Sequence, residues 1–150
     1  MSGRRIIYPP LWLLIGVCLI FAIDGWGPGP RFGGGYWHLA GGAVLLAGLA
    51  LLVSAGGLFA RAGTGLVPFR DVRRLVTHGL YRYSRNPMYL AMALVLLGVS
   101  LTVGGGLTLV VPPLFMVVIE WRFIRAEERQ LEALFGDDYR AYCRRVRRWL

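Results

Sequence analysis

Residues 86–119 read NPMYLAMALVLLGVSLTVGGGLTLVVPPLFMVVI, a run without one formal charge until Glu120. A membrane-crossing helix takes about 17–25 residues, so this run is too long for one span and long enough for two. The triplet Gly104-Gly105-Gly106 divides it, which predicts short spans at about 88–103 and 107–123 joined by a tight turn. Pro112-Pro113 predict a kink in the second, whose freed carbonyls neighbouring helices must satisfy. The pair forms a helical hairpin that returns the chain to the side it left.

Upstream, residues 32–60 are again free of formal charge, with Tyr36, Trp37 and His38 at the entrance. Aromatic side chains there suit the membrane interface. Ala40, Gly41, Ala43, Ala47, Gly48 and Ala50 recur through this span (about 36–60) and let another helix approach closely. Residues 6–23 form a first span of near-minimal length, closed by Asp24 and the Gly/Pro-rich stretch that follows. Arg4 and Arg5 before it mimic the start of a signal peptide, but no small-x-small cleavage signature follows, so the helix reads as retained. The expectation is one domain, residues 1–150, all-α: a four-span helical bundle with a connector at 61–86 and a tail at 124–150.

Composition agrees. Hydrophobic residues make up 56% of the 150 positions, charged residues 17%, and the mean hydropathy is +0.55. A soluble domain carries about 25% charged residues, so this chain cannot coat itself, and disorder is excluded by the same excess of apolar residues. All 17 basic residues are arginine, against 8 acids, for a net charge of +9. They flank the apolar runs (Arg4 and Arg5, the connector, the tail), which is the pattern that orients a membrane protein rather than a nucleic-acid footprint. The positive-inside rule then puts both termini in the cytoplasm and residues 24–35 and 103–106 opposite, in a plasma (inner) membrane protein. Cys18 and Cys143 have no metal-ligand spacing and read as free thiols; no metal site is arguable from the isolated His38 and His78.

Chemistry is expected in the two polar segments. The tail repeats Leu131, Leu134, Phe135, Tyr139, Tyr142, Val146 and Trp149 at helical spacings, with Gly136 ending one helix and Asp137 or Asp138 capping the next. The connector carries Gly79-Leu80-Tyr81 and Arg85-Asn86-Pro87-Met88-Tyr89. The tail carries Glu127-Glu128, Phe135-Gly136 and Tyr139-Arg140-Ala141-Tyr142. In this order and spacing, around a span hairpin, the set resembles the isoprenylcysteine carboxyl methyltransferase family, integral-membrane S-adenosylmethionine-dependent enzymes related in signature to phospholipid methyltransferases. The likeness covers roughly residues 60–146.

The resemblance implies S-adenosylmethionine as cofactor, bound by Arg73, Arg74, Leu75, Val76, Tyr81, Asn86, Pro87, Met88, Tyr89 and Glu127. The residue types suit it: aromatic faces favour a sulfonium cation, and a carboxylate accepts from ribose hydroxyls, an adenine amine or an ammonium group. The alternative for Tyr81 and Tyr89 is interfacial anchoring, and for Glu127 a solvated face beside Arg125 and Arg129. Glu128 lies about 100° around the helix from Glu127. Two departures stand out. Asn86 replaces the family's histidine, which removes titration near neutrality. Phe123 stands one turn before Glu127, where the prenylcysteine enzymes hold a substrate-orienting arginine; Arg85, Arg122 and Arg125 are the candidates left for that role. Glu120 reads equally as functional or as paired with Arg122 or a neighbouring helix. The Arg140–Arg148 cluster reads as a contact for anionic headgroups.

The sequence therefore points to a membrane methyltransferase acting on a small lipophilic or membrane-embedded acceptor, with carboxylate, amine, thiol and hydroxyl nucleophiles all open. Two rivals are a membrane-embedded NADPH-dependent reductase of the sterol-reductase kind, whose tail resembles residues 139–146, and a non-catalytic scaffold or lipid-binding bundle. The expected partners are the bilayer and the acceptor, with no nucleic acid.

Overall fold

A computed structural model describes residues 8–27, 29–32, 34–61 and 75–150, with backbone alone at 58–61. Helix α1 (Pro9–Trp26) starts on Pro9-Pro10, where a missing N–H costs nothing because the first helical amides have no partner anyway. Helix α2 is Gly35–Arg61 and α3 is Pro87–Val103, again opening on a proline. A 3-10 turn (Gly106–Val110) leads into α4 (Val111–Ile119), a π-helical turn (Glu120–Ile124) and α5 (Arg125–Arg145), a helical run continuous as far as the kink at Gly136. Among the described residues three helices are long and apolar enough to cross a membrane: Pro9–Trp26, Gly35–Gly57 and the run beginning at Gly106. The fourth, α3, is a shorter apolar helix of 17 residues. Successive spans alternate in direction, so the protein is an all-α integral-membrane bundle, as expected.

Helix α3 is the central element. It buries nine residues, from Pro87 and Tyr89 to Gly98 and Ser100, and every other span packs on it. Its seam with α2 is the most extensive, and glycine makes it possible. Gly41, Gly48 and Ala55 form a buried stripe at heptad spacing along α2. A Cβ on Gly48 would lie 2.8 Å from the Val95 amide nitrogen, and one on Gly98 would collide with the Leu45 backbone. Two of the small residues singled out from the sequence, Gly41 and Gly48, thus face the partner helix, while Leu39, Leu46 and Val53 point outward. On the other side of α3, Ile20, Met92, Leu96, Phe115, Ile119 and Phe123 close the apolar core.

The predicted glycine turn is present. Gly104 takes a left-handed conformation (φ 82°) and its amide closes α3 on the Ser100 carbonyl. The turn is laced to the α1–α2 loop by Phe32 N–H donating to Gly104 O (3.1 Å) and Gly106 N–H to Pro30 O (2.8 Å). Asp24 pairs with Arg31 at 3.1 Å beside it. The buried Ser100 hydroxyl donates to the Thr108 carbonyl (3.1 Å), so the hairpin satisfies its own polar groups.

One expectation is corrected. Pro112 and Pro113 do not kink a helix midway. They sit in the first turn of α4, immediately after the 3-10 segment, where an amide is dispensable. The break expected in the tail is present: Gly136 leaves helical geometry (φ 50°, ψ −118°), and α5 is two helical segments meeting in a kink there. Cys18 and Cys143 are free.

Candidate active site

The end of the bundle opposite the glycine turn gathers the polar motifs. Residues 75–86 form a 3-10 turn at Gly79–Arg82 and enter α3 through Asn86-Pro87. Positive φ at Gly79 (62°) allows the sharp reversal that turns Tyr81 inward. Tyr81 is 6% exposed and packs with Tyr139, Tyr142 and Val146; Leu75, Val76, Leu131, Phe135 and Cys143 surround them. Tyr142 Oη donates to the Tyr81 carbonyl at 2.7 Å, so the tail folds over the connector as the motif order suggested.

The centre of the site is a contact between α3 and α5. Tyr89 Oη donates to Glu127 Oε1 at 2.7 Å, joining residues 38 positions apart. Among the described residues Glu127 makes no ion pair. Burial holds its carboxyl above the usual carboxylate range, opposed by the Tyr89 hydrogen bond and aided by the neighbouring Glu128 charge. Burial also raises the Tyr81 hydroxyl, helped by Tyr142 and Glu127, and pushes Tyr142 up to about 12. These phenols stay protonated at working pH. They can donate hydrogen bonds and present aromatic faces; they cannot act as bases.

The other residues expected at the site are distributed as follows. Pro87 is buried at the start of α3, and Met88 is partly exposed beside it. The Asn86 side chain turns away from Glu127, its Nδ2 donating to the Arg148 carbonyl at 3.0 Å. Arg85 Nη1 pairs with Glu128 (3.1 Å) and donates to Cys143 Sγ (2.8 Å), while its Nε is buried with no partner among the described residues. Arg125 stacks on Trp121, 4.4 Å from the ring centroid, and reaches Glu120 at 3.4 Å. Arg122 is exposed, and Arg73 and Arg74 lie outside the described residues. Phe123 is 4% exposed, within the apolar core.

Sequence reasoning missed an ion-pair assembly. Arg148 does not face headgroups; it bridges Glu128 (2.7 Å) and Glu120 (2.9 Å). Glu120 is paired, though with Arg148 and Arg125 rather than Arg122. Arg140 is occupied by Asp137 and Glu132. The clue available in the sequence was an acid at the end of an apolar span, which needs a partner.

A membrane bundle ending in a part-buried acid–phenol pair, capped by an arginine-rich tail, is the class of protein these features define. The family model for phospholipid methyltransferases matches residues 36–138, and the chain belongs to that family. It is a membrane methyltransferase. An uncharacterised protein of Haemophilus influenzae is 44% identical over 63 residues, 42% of this chain and the whole of that relative. The protein-S-isoprenylcysteine O-methyltransferase of Schizosaccharomyces pombe is 36% identical over 76 residues, 48% of this chain but 30% of the yeast enzyme. The chain thus matches less than a third of that relative's length.

Proposed function

We propose that the protein transfers a methyl group from S-adenosylmethionine to a lipophilic acceptor that enters sideways from the bilayer. The observation that carries this reading is the half-buried Glu127 carboxylate, which Tyr89 holds but no described cation neutralises. A charged group in such surroundings calls for a positive partner, and a sulfonium donor with an ammonium end supplies one. Tyr81 and Tyr89 offer aromatic faces for the sulfonium, and Leu75 and Val76 an apolar wall. The unpartnered Arg85 Nε remains available to an anionic group of donor or acceptor. Arg73 and Arg74 belong to the proposed donor site by the motif alone.

When bound, the donor supplies an activated methyl carbon for in-line displacement. The protein's task is alignment and exclusion of water, worth several kcal/mol in comparable reactions. Glu127 orients the donor, Tyr89 fixes Glu127, and Phe123 keeps the approach from the core apolar. Phe123 in place of an arginine disfavours prenylcysteine acids, although the yeast relative is named for them. The arginine-rich end faces the cytoplasm in this reading, and the donor enters there.

Titrating the purified protein with S-adenosylmethionine and, separately, with NADPH tests the proposal. Saturable binding of the first alone is expected. Binding of NADPH alone would favour the reductase, and binding of neither would leave a scaffold.

A further inference from the structure

One polar assembly flanks the methyl-donor site, and the short stretch Val146–Trp149 builds it. The Arg148 guanidinium grips Glu128 with two nitrogens (Nε 2.9 Å, Nη2 2.7 Å) and Glu120 with the third (Nη1 2.9 Å). The Arg148 carbonyl accepts from Asn86 Nδ2 at 3.0 Å, and the Arg147 carbonyl accepts from the Arg85 amide at 3.0 Å. Trp149 Nε1 donates to Glu120 Oε2 at 3.2 Å, and Arg85 closes the ring on Glu128 at 3.1 Å. One residue therefore joins three separate elements: the turn that leads into Tyr89, the π-helical turn, and the helix that carries Glu127.

This is not an ordinary surface ion pair, which contributes little. The Glu128 and Arg85 side chains are 18% and 15% exposed, and the fork on Glu128 is bidentate, so the geometry is fixed in direction as well as distance. Glu127 and Glu128 project about 100° apart around one helix. Holding Glu128 against Arg148 and Arg85 leaves Glu127 directed at Tyr89. The same arginine restrains Asn86, three residues before Tyr89, through its carbonyl.

We infer that Arg148 is a positioning residue of the methyl-donor site, acting through Glu128 and Asn86 to set the Glu127–Tyr89 pair. It touches neither Glu127 nor Tyr89. The inference rests on the donor site proposed above.

The full chain in nanodiscs, titrated with S-adenosylmethionine, tests it. Arg148→Ala should weaken binding about ten-fold or more, since small misplacements in an aligned site are costly. Arg148→Lys, which restores a cation without the fork, should recover part of the loss, and millimolar guanidinium should recover binding in Arg148→Ala but not in Glu127→Gln. Arg144→Ala removes an equal charge from an exposed site nearby and should bind as the parent does. Glu128→Gln, checked for unchanged gel-filtration behaviour, should lose affinity like Arg148→Ala and stands in for it should that variant fail to fold. Parent-like affinity in Arg148→Ala or in folded Glu128→Gln, or an equal loss in Arg144→Ala, overturns the inference and leaves the donor site standing. Failure of the parent to bind the donor overturns both.

Discussion

Replacing Glu127 by glutamine isolates its charge from its shape. The amide oxygen still accepts from the Tyr89 hydroxyl, now 2.7 Å from the carboxylate, so the tie between α3 and α5 survives. What goes is the charge-assisted interaction with a cationic donor, about 1.5–3 kcal/mol for a group largely removed from water. At about 1.4 kcal/mol per decade, S-adenosylmethionine affinity should fall roughly ten- to a hundred-fold. The parent should also lose affinity as the medium is acidified. Burial holds the Glu127 carboxyl above the usual carboxylate range, so it takes up a proton early and then resembles glutamine. The variant should show no such dependence, and the two binding curves should converge at low pH. Without donor, the variant should be at least as heat-stable as the parent, because it no longer buries an unneutralised charge. Isothermal titration at several pH values, with thermal unfolding in the same detergent, measures all three. Equal affinity of parent and variant at pH 8 would refute the reasoning.

Three further outcomes follow from other parts of the molecule. Tyr142→Phe removes the hydrogen bond from the tail to the Tyr81 carbonyl and should cost about 0.5–1.5 kcal/mol of stability, seen as a lower unfolding temperature; an unchanged midpoint would refute that role for the bond. Gly98→Ala should destabilise the α2–α3 seam by about 1–3 kcal/mol through overpacking against the Leu45 backbone, whereas Gly42→Ala, with nothing within 4 Å of the new Cβ, should be neutral or stabilising; the reverse order would refute the seam. Prenylcysteine acids should be methylated more slowly than lipophilic amines, thiols or phenols, in a radiolabelled methyl-transfer assay, because Phe123 offers a carboxylate no fork.

The spans were legible because charge-free runs and glycine punctuation are local signals. The hairpin between α3 and α4 needed only its length and Gly104–Gly106. The meeting of connector and tail was legible from motif order, and Tyr142 on the Tyr81 carbonyl bears it out. The role of Arg148 was not. Its partners Glu120 and Glu128 lie 28 and 20 positions away, and one arginine among the several in 140–148 carries no mark of which acid it will meet. Pro112-Pro113 misled for a different reason. A proline pair breaks an established helix but starts a new one equally well, and only the 3-10 turn before Val111 decides between them.

The π-helical turn at Glu120–Ile124 sets the phase between membrane and tail. A wider turn accommodates an extra residue, and in an α-helix each residue advances the face by about 100°. The apolar stripe of α4 and the polar face of the first part of α5 therefore belong to two different helical wheels on a rod that runs as far as Gly136. Deleting a single residue between Glu120 and Ile124 would keep the rod and its length almost intact while swinging the acid pair round by one position. Glu128 would then approach Tyr89, and Glu127 would turn out of the site.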